Sequence, residues 1–557
     1  MSYLSDASLV MIPSGVEAGT VFTSKPAGGS ADLTFTRSND TATRVGPNGY
    51  IEKVRTNLAL YSQDFSQIGT WVPRNGTYTA NAETAPDGTN TATKVTATNI
   101  DPYIYQSISF NGVITASCYM KGIGSSIGKN AQVRIGAIPT TIALTSNWQR
   151  VSVTTTISGA TICGVEVPDP AIIGDEALIW GFQVEAGTVA TDYIETTTAA
   201  VSVGPVANVP RINFDPVLPR TGSLLLEPQR TNGLAYSEYF GAWSLSGGTL
   251  TANAEVSPQG VENAYLYTED TSTNYHRINT GASASSSNKV YSVYAKWAGG
   301  TANRWFTIDN GPTAWFDIVN GVVGGAQGSV VTSIEDCGNG WYRCIYHNPT
   351  STTGGIYLGI ASSDGGSGNH VGNGQPAFYI YGAQCEDNVT YATSYIPTYG
   401  AAVTRGADVM DKEVSGISTL SSGTFFLEFE RGLTTATARD ASTDGLYYRS
   451  NTSFPSVNSI EVASDIDGSV RFAYRSNSVF NGIYSNNTLN QYKMLIKWNG
   501  TTAKAYVNGT QVFSDSLTFT SNLEYIGYNA DFRKSINKFL IFPTEISDTD
   551  AITLTTL

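Results

Sequence analysis

Arg55-Thr56-Asn57, Tyr61, Phe65, Trp71, Thr79-Ala80-Asn81-Ala82-Glu83 and Pro86/Gly88 return in order as Arg230-Thr231-Asn232, Tyr236, Phe240, Trp243, Thr251-Ala252-Asn253-Ala254-Glu255 and Pro258/Gly260. The offset is 175 positions as far as Phe65 and 172 from Trp71 onward, so one small deletion separates two copies of a domain. The correspondence continues downstream. Ser117-Cys118-Tyr119-Met120-Lys121 answers Ser292-Val293-Tyr294-Ala295-Lys296, and Trp148-Gln149-Arg150 answers Trp341-Tyr342-Arg343. Both copies close alike, on Gly181-Phe182-Gln183-Val184-Glu185 with Ala190-Thr191-Asp192-Tyr193-Ile194, and on Gly382-Ala383-Gln384-Cys385-Glu386 with Ala392-Thr393-Ser394-Tyr395-Ile396. Solenoid units repeat every 20–50 residues or so. A period this long is a tandem array of whole domains.

Composition names the class. Charged residues are 14% of the chain, against about 25% in average proteins, and Gly, Thr, Ser, Asn, Val, Ile and Tyr dominate where helix-forming Leu, Lys and Glu are thin. β-Branched and aromatic residues fit pleated sheets. Short runs such as Val290-Tyr291-Ser292-Val293-Tyr294-Ala295-Lys296, Phe425-Phe426-Leu427-Glu428-Phe429-Glu430 and Lys504-Ala505-Tyr506-Val507 read as strands. Asp467-Gly468, Asn499-Gly500 and Asn508-Gly509 read as hairpin turns. The expected fold is all-β, built of tandem sandwiches.

The repeat sets the boundaries. Residues 1–52 precede it and are too short to bury a core alone, so they are expected to pack on a partner or on the same chain. The first sandwich is expected over 53–199, an extended Pro- and Val-rich linker over 200–221, the second sandwich over 222–400, a connector over 401–411, and a last domain without the repeat motif over 412–557.

A formal charge of −14 argues against a nucleic-acid partner, which needs a clustered Lys/Arg footprint. No apolar run approaches the ~18 residues that span a bilayer, and no basic segment followed by a hydrophobic core opens the chain, so neither membrane insertion nor secretion by its own signal is expected. The five cysteines include no Cys-x-x-Cys pair and read as buried free thiols, with Cys337 and Cys344 flanking a Gly338-Asn339-Gly340 turn. The three histidines, His276, His347 and His370, lack metal-ligand spacing.

Two resemblances add to this reading. Tyr492-Lys493-Met494-Leu495-Ile496-Lys497-Trp498-Asn499-Gly500, followed by Ala503–Val507, Asn508-Gly509 and Ile536–Phe542, resembles the closing half of a laminin-G or concanavalin-type lectin sandwich. Leu224-Leu225-Leu226-Glu227-Pro228-Gln229-Arg230-Thr231-Asn232, Cys337-Gly338-Asn339-Gly340-Trp341-Tyr342-Arg343-Cys344, the run from Gly382 through Tyr395-Ile396-Pro397-Thr398 to Val403-Thr404-Arg405, and the opening Ser8–Gly15 with Phe35-Thr36-Arg37 resemble modules of bacteriophage tail-fibre and head-fibre proteins. The second resemblance implies jelly-roll sandwiches similar to carbohydrate-binding modules. It also implies attachment to other virion proteins through residues 1–52, a homo-oligomer with a trimer favoured, contact with host-surface polysaccharide, and a place on the virion surface after synthesis in the host cytoplasm. Under it, removal of residues 1–52 leaves the sandwiches folded with an unchanged thermal transition and abolishes incorporation into particles.

Sugar recognition needs flat apolar surface beside amides, hydroxyls and carboxylates. Trp71, Trp148, Trp243 and Trp341 recur in both copies and read as core. Trp305 and Trp315 lie where the second copy is longer than the first and are candidates for a glycan platform; so are the adjacent Tyr447 and Tyr448, one of which must point away from the core of a strand. A glycosidase needs two carboxylates about 5–10 Å apart; Asp440, Asp444, Asp465 and Asp467 are the acids in reach, and Asp465-Ile466-Asp467-Gly468 reads as a hairpin connection instead. With no nucleophile elbow and no phosphate-binding glycine loop, no catalytic residue is expected and the protein is read as non-enzymatic. No cofactor is implied; calcium held by loop Asp and Asn oxygens suits a lectin-like sandwich, but no ligand pattern places it. The alternatives are a head or tail connector that binds no ligand and, behind it, a polysaccharide depolymerase.

Overall fold

The computed structural model describes all residues except 1–2, 218–221, 281–287, 301–304, 351–354, 420, 432–445, 452–457, 465–469, 477–478, 487–488, 517–518 and 529–533. Asp440, Asp444, Asp465 and Asp467 lie outside the described residues. The chain is all-β, with every sheet antiparallel and a single helix longer than one turn, Asp548–Thr555, among the described residues. Among the described residues no helix is long and apolar enough to cross a membrane.

Each copy of the repeat is a sandwich. In the first, two 21-residue strands, Tyr103–Ile123 and Gln149–Asp169, pair along almost their whole length and carry the other strands of one eight-stranded sheet. In the second, the same two strands are interrupted, giving Arg277–Asn279 and Lys289–Trp297, then Trp341–Asn348 and Tyr357–Ala361. Two six-stranded sheets result. One runs Ser244–Ser246, Arg277–Asn279, Tyr357–Ala361, Trp305–Asp309, Thr313–Asp317, Val322–Ala326. Alternation puts Ile278, Leu358, Phe306, Ile308, Ala314 and Phe316 into the core between the sheets and turns their neighbours outward.

The repeated motifs are the fastenings of these sandwiches. Asn57 Nδ2 donates to the carbonyl oxygens of Phe182 (3.1 Å) and Ile194 (2.8 Å), and its Oδ1 accepts from the N–H groups of Ala59 (3.1 Å) and Val184 (3.0 Å). Asn232 makes the same four bonds to Ala383, Ile396, Leu234 and Cys385. Both side chains are fully buried, and the amide's two donors and two acceptor sites are all used. Each asparagine therefore ties the first strand of its domain to the last. Gln183 and Gln384 accept from the N–H groups of Ile194 and Ile396 (2.7 Å each), while Glu185 and Glu386 hold the backbone and hydroxyl of Thr191 and Thr393. Trp71 and Trp243 donate to the carbonyls of Tyr61 and Tyr236 from the core, and Trp148 and Trp341 to those of Thr84 and Val256.

The copies abut closely. Val113 N–H donates to the Tyr399 carbonyl at 2.7 Å, and a Cβ on Gly112 (φ +135°) would stand 1.7 Å from that oxygen, so only glycine fits there. Beside this contact Lys53, from the first copy, is buried against Glu238 of the second at 2.7 Å, with Tyr381 and Tyr395 hydroxyls on the same carboxylate. Burial works against the Lys53 ammonium, yet Glu238 holds its pKa above the usual lysine range.

The third sandwich is not confined to residues 412–557. Its two eight-stranded sheets take Leu9–Met11, Thr20–Val21 and Leu33–Thr36 from the start of the chain, and Arg211–Asn213 and Ser223–Leu226 from the stretch between the repeats. Leu9–Met11 and Ser223–Leu226 share one edge of the strand Lys534–Phe542, the first against Phe539–Ile541, the second against Lys534–Ile536. Leu9, Met11, Leu33, Phe35, Leu224 and Leu226 join Phe425, Tyr448, Trp498 and Phe539 in one core. Two sequence expectations are corrected by this. Residues 200–221 and 401–411 are not plain linkers, since Val201–Val203 and Val403–Arg405 close the first and second sandwiches against Arg55–Asn57 and Arg230–Asn232. Residues 1–52 pack on the same chain, and their removal cannot leave the thermal transition unchanged, because it would strip buried side chains from the third core.

A buried ionic cluster joins these parts. Arg211 Nη1 bonds Glu227 at 2.8 Å and its Nη2 bonds Asp408; Arg37 bonds Asp408 at 3.0 Å, and Arg405 bonds Glu227 at 2.8 Å, with all five side chains fully buried. Ser394 of the second sandwich donates to Glu227 and accepts from both Arg211 and Arg405. Burial opposes charge on Arg211, but Asp408 and Glu227 together push its pKa above the ordinary arginine value. Arg37, Glu227 and Arg405 stand in the phrases that carry the resemblance to phage fibre modules.

All five cysteines are thiols. Burial pushes the Cys118, Cys163 and Cys337 thiols up to about 12 and Cys344 well above its usual value. They behave as small core residues.

Candidate functional site

The outward face of the second sandwich carries a cleft of about 340 Å³. Its floor is set by cross-strand register. Arg277, Gly359, Thr307 and Trp315 stand side by side on four adjacent strands, and Asn279, Tyr357, Asp309 and Thr313 form the next outward row. Gly359 deepens it, because a Cβ there would come 2.8 Å from Arg277 Cβ and from the His276 carbonyl oxygen.

Arg277 is the centre of the cleft. Its guanidinium packs over two aromatic rings, with Cζ 4.2 Å from the Tyr275 ring centroid and 4.0 Å from that of Tyr357. Asp309 stands 4.0 Å from Nη1, beyond hydrogen-bond distance, and its Oδ1 accepts from Gly311 N–H at 2.8 Å. Burial pushes the Asp309 carboxyl above the usual aspartate range, with the Gly311 N–H and Arg277 opposing. Gln327, Thr307 and Thr313 add amide and hydroxyl groups to the walls. Such a set can hold a hydroxyl-rich molecule by directed bonds around a partly apolar floor.

Trp315 lines this cleft, but it is only 4% exposed and its Nε1 donates to the Gly366 carbonyl at 3.0 Å, so it braces the Gly365–Gly368 rim and offers little open face. Trp305, half-buried, stands apart from the cleft lining, near Gly324 and Asp364. One of the pair, Tyr447, does point away from the core, but Tyr447 and Tyr448 are both buried and neither offers an open face to a ligand. Their strand, Leu446–Arg449, is interior to its sheet; Tyr448 faces the core and bonds Ser418 at 2.6 Å, while Tyr447 lies beneath the Arg449 guanidinium (3.7 Å) and over Gly527. The residues that sequence reasoning missed are Tyr275, Arg277, Asp309 and Tyr357. Alternation in Trp305–Asp309 and Tyr357–Ala361 signals an outward polar row, but only the register joins residues 80 positions apart.

The first sandwich has a related cleft with a different charge order. Register places Arg134 where Asp309 stands, Glu166 where Gly359 stands and Tyr103 where Arg277 stands. Arg134 bonds Glu166 at 2.5 Å and lies over the Tyr103 ring, which stacks on Tyr105. Asp101, Glu166 and Asp169 form the one group of three potential metal ligands among the described residues. Arg134 and the Gln132 amide already occupy two of these carboxylates, so the group is accounted for without a metal. The histidines hold structure too, with His276 between the Gly247 and His370 carbonyls and His370 against Glu269.

No protein-family model matches the sequence, and no curated protein matches it. Among solved structures the chain is similar to the N-terminal CBM22-1-CBM22-2 tandem domain of Xyn10C from Paenibacillus barcinonensis, at 13% sequence identity, over 60% of this chain and 98% of that one, with a TM-score of 0.21. At that score the likeness carries no argument about this protein. The all-β assignment rests on the strands and registers themselves.

Proposed function

We propose that the protein is a non-enzymatic bacteriophage fibre or spike component that binds host-surface glycan through the outward cleft of its second sandwich. The observation that carries the binding reading is the Tyr275–Arg277–Tyr357 stack beside Asp309, Thr307 and Gln327. It brings aromatic faces together with directed donors and acceptors, which is the chemistry a sugar needs. Asp309 is the one carboxylate among the residues lining that cleft, whereas glycoside hydrolysis uses a pair; this supports binding over depolymerisation. The virion reading rests on the sequence phrases around Arg37, Glu227 and Arg405. Under it the chain is made in the host cytoplasm, sits on the virion surface, meets other virion proteins through the face that residues 1–52 help to build, and acts as a homo-oligomer, with a trimer favoured. Several weak sites on one particle raise avidity by about 10²–10⁴.

A connector without a ligand is the second reading, favoured by the buried Arg37–Asp408–Arg211–Glu227–Arg405 cluster, which makes the sandwiches hold one another. One experiment separates the two. Fluorescent full-length protein, displayed in trivalent form, is titrated onto a panel of bacterial cells with isolated surface polysaccharide as competitor, alongside Tyr357→Ala. Saturable, competed binding that weakens at least about tenfold in the variant, with an unchanged thermal transition, is the expected outcome. Absence of binding across the panel would favour the connector.

A further inference from the structure

Arg277 is an arginine held in place with its hydrogen-bonding edge unspent. Tyr275 and Tyr357 both pack against the guanidinium, so the two rings narrow the directions from which a ligand can reach it. Asp309 is the acid nearest to it, and at 4.0 Å that carboxylate stops short of a hydrogen bond while spending one oxygen on Gly311. The side chain stays 27% exposed and lines the cleft beside the recess left by Gly359. Two ring contacts restrict the rotamer freedom that an arginine normally loses on binding, and the N–H groups that fall short of Asp309 suit fork-to-fork pairing with a planar anion.

Resting on the reading that this cleft binds glycan, we propose that it selects a carboxylated sugar, a hexuronate residue whose carboxylate pairs in plane with Arg277 while its hydroxyls meet Asp309, Thr307 and Gln327. The neighbouring acid sets the preferred charge. Asp309 already offsets part of the positive potential of Arg277, which leaves room for a monoanion and disfavours a dianion such as a phosphate monoester. The recess at Gly359 gives the carboxylate a place beside the guanidinium instead of above it. Thr307, on the same outward row, stands across that recess from Arg277.

The test uses matched probes on the full-length protein. Polygalacturonate, alginate and a glucuronan oligosaccharide are titrated calorimetrically beside their carboxyl-reduced, neutral counterparts, with dextran sulfate as a further anion, for the natural chain and for Arg277→Gln and Arg277→Lys. The expected result is at least tenfold tighter binding of one uronate than of its reduced form. Arg277→Gln should abolish that preference, and Arg277→Lys should recover it only in part, with no change in thermal transition in either variant. Equal binding of an acidic and reduced pair, or tighter binding of the reduced form or of dextran sulfate, overturns the uronate assignment and leaves glycan binding standing. Binding of none of the probes, acidic or neutral, overturns both.

Discussion

Asn232 shows what a repeated residue can mean. Retention in both copies is not the mark of a shared binding surface here, because the amide is sealed inside the domain and fully bonded. Asn232→Ala would leave two carbonyl oxygens and two N–H groups in the core without partners. At about 1–3 kcal/mol for each unsatisfied buried group, partly relieved by relaxation, a loss of roughly 3 kcal/mol or more is expected, seen in calorimetry as a lowered transition for the second sandwich while the first keeps its own. An unchanged profile would mean that water replaces the amide. The candidate site was legible only in part at this scale. Trp315 was reached because it sits where the copies differ in length, yet its ring is spent on the rim. Tyr447 and Tyr448 misled because alternation says which way a side chain points, whereas it does not say that Arg449 covers the outward one. Tyr275, Arg277 and Tyr357 were invisible as a set, since their meeting depends on which strands pair.

At the scale of elements, the repeats were readable because each contains its own strands, and the third sandwich was readable only over its C-terminal part, because its strands come from three distant parts of the chain. Short apolar runs such as Leu9-Val10-Met11 and Leu224-Leu225-Leu226 carry no mark of the partner they will join. Both end on the same edge of Lys534–Phe542. Deleting residues 1–36 removes Leu9, Met11, Leu33 and Phe35 from the core, each worth about 1.5–3 kcal/mol of burial, and bares two sheet edges. Calorimetry with size-exclusion chromatography should show the third sandwich unfolded or aggregated at room temperature with both repeats intact. A folded, monodisperse product would mean that the last domain is self-sufficient.

For the whole molecule, the decisive group is Arg211, which touches Glu227, Asp408, Ser394 and the Thr43 carbonyl and so meets four stretches of chain at once. Arg211→Met would leave two buried carboxylates short of charge, at a cost of about 3–5 kcal/mol. Chemical denaturation should then show the transitions of the second and third sandwiches moving apart; a shared transition, shifted or not, would deny the cluster its coupling role. The contact of Ser8 with Ile541, 533 positions away, bears on how the protein is made. The two repeats can close as soon as they leave the ribosome, but the residues of Leu9–Met11 have no ladder partner until Phe539–Ile541, about 530 positions further on, have been made. At about 5–20 residues per second, they wait roughly half a minute to two minutes with an apolar face and an open edge. For that interval the chain is a client for chaperones, and the yield of finished protein depends on translation speed as much as on the stability of the product.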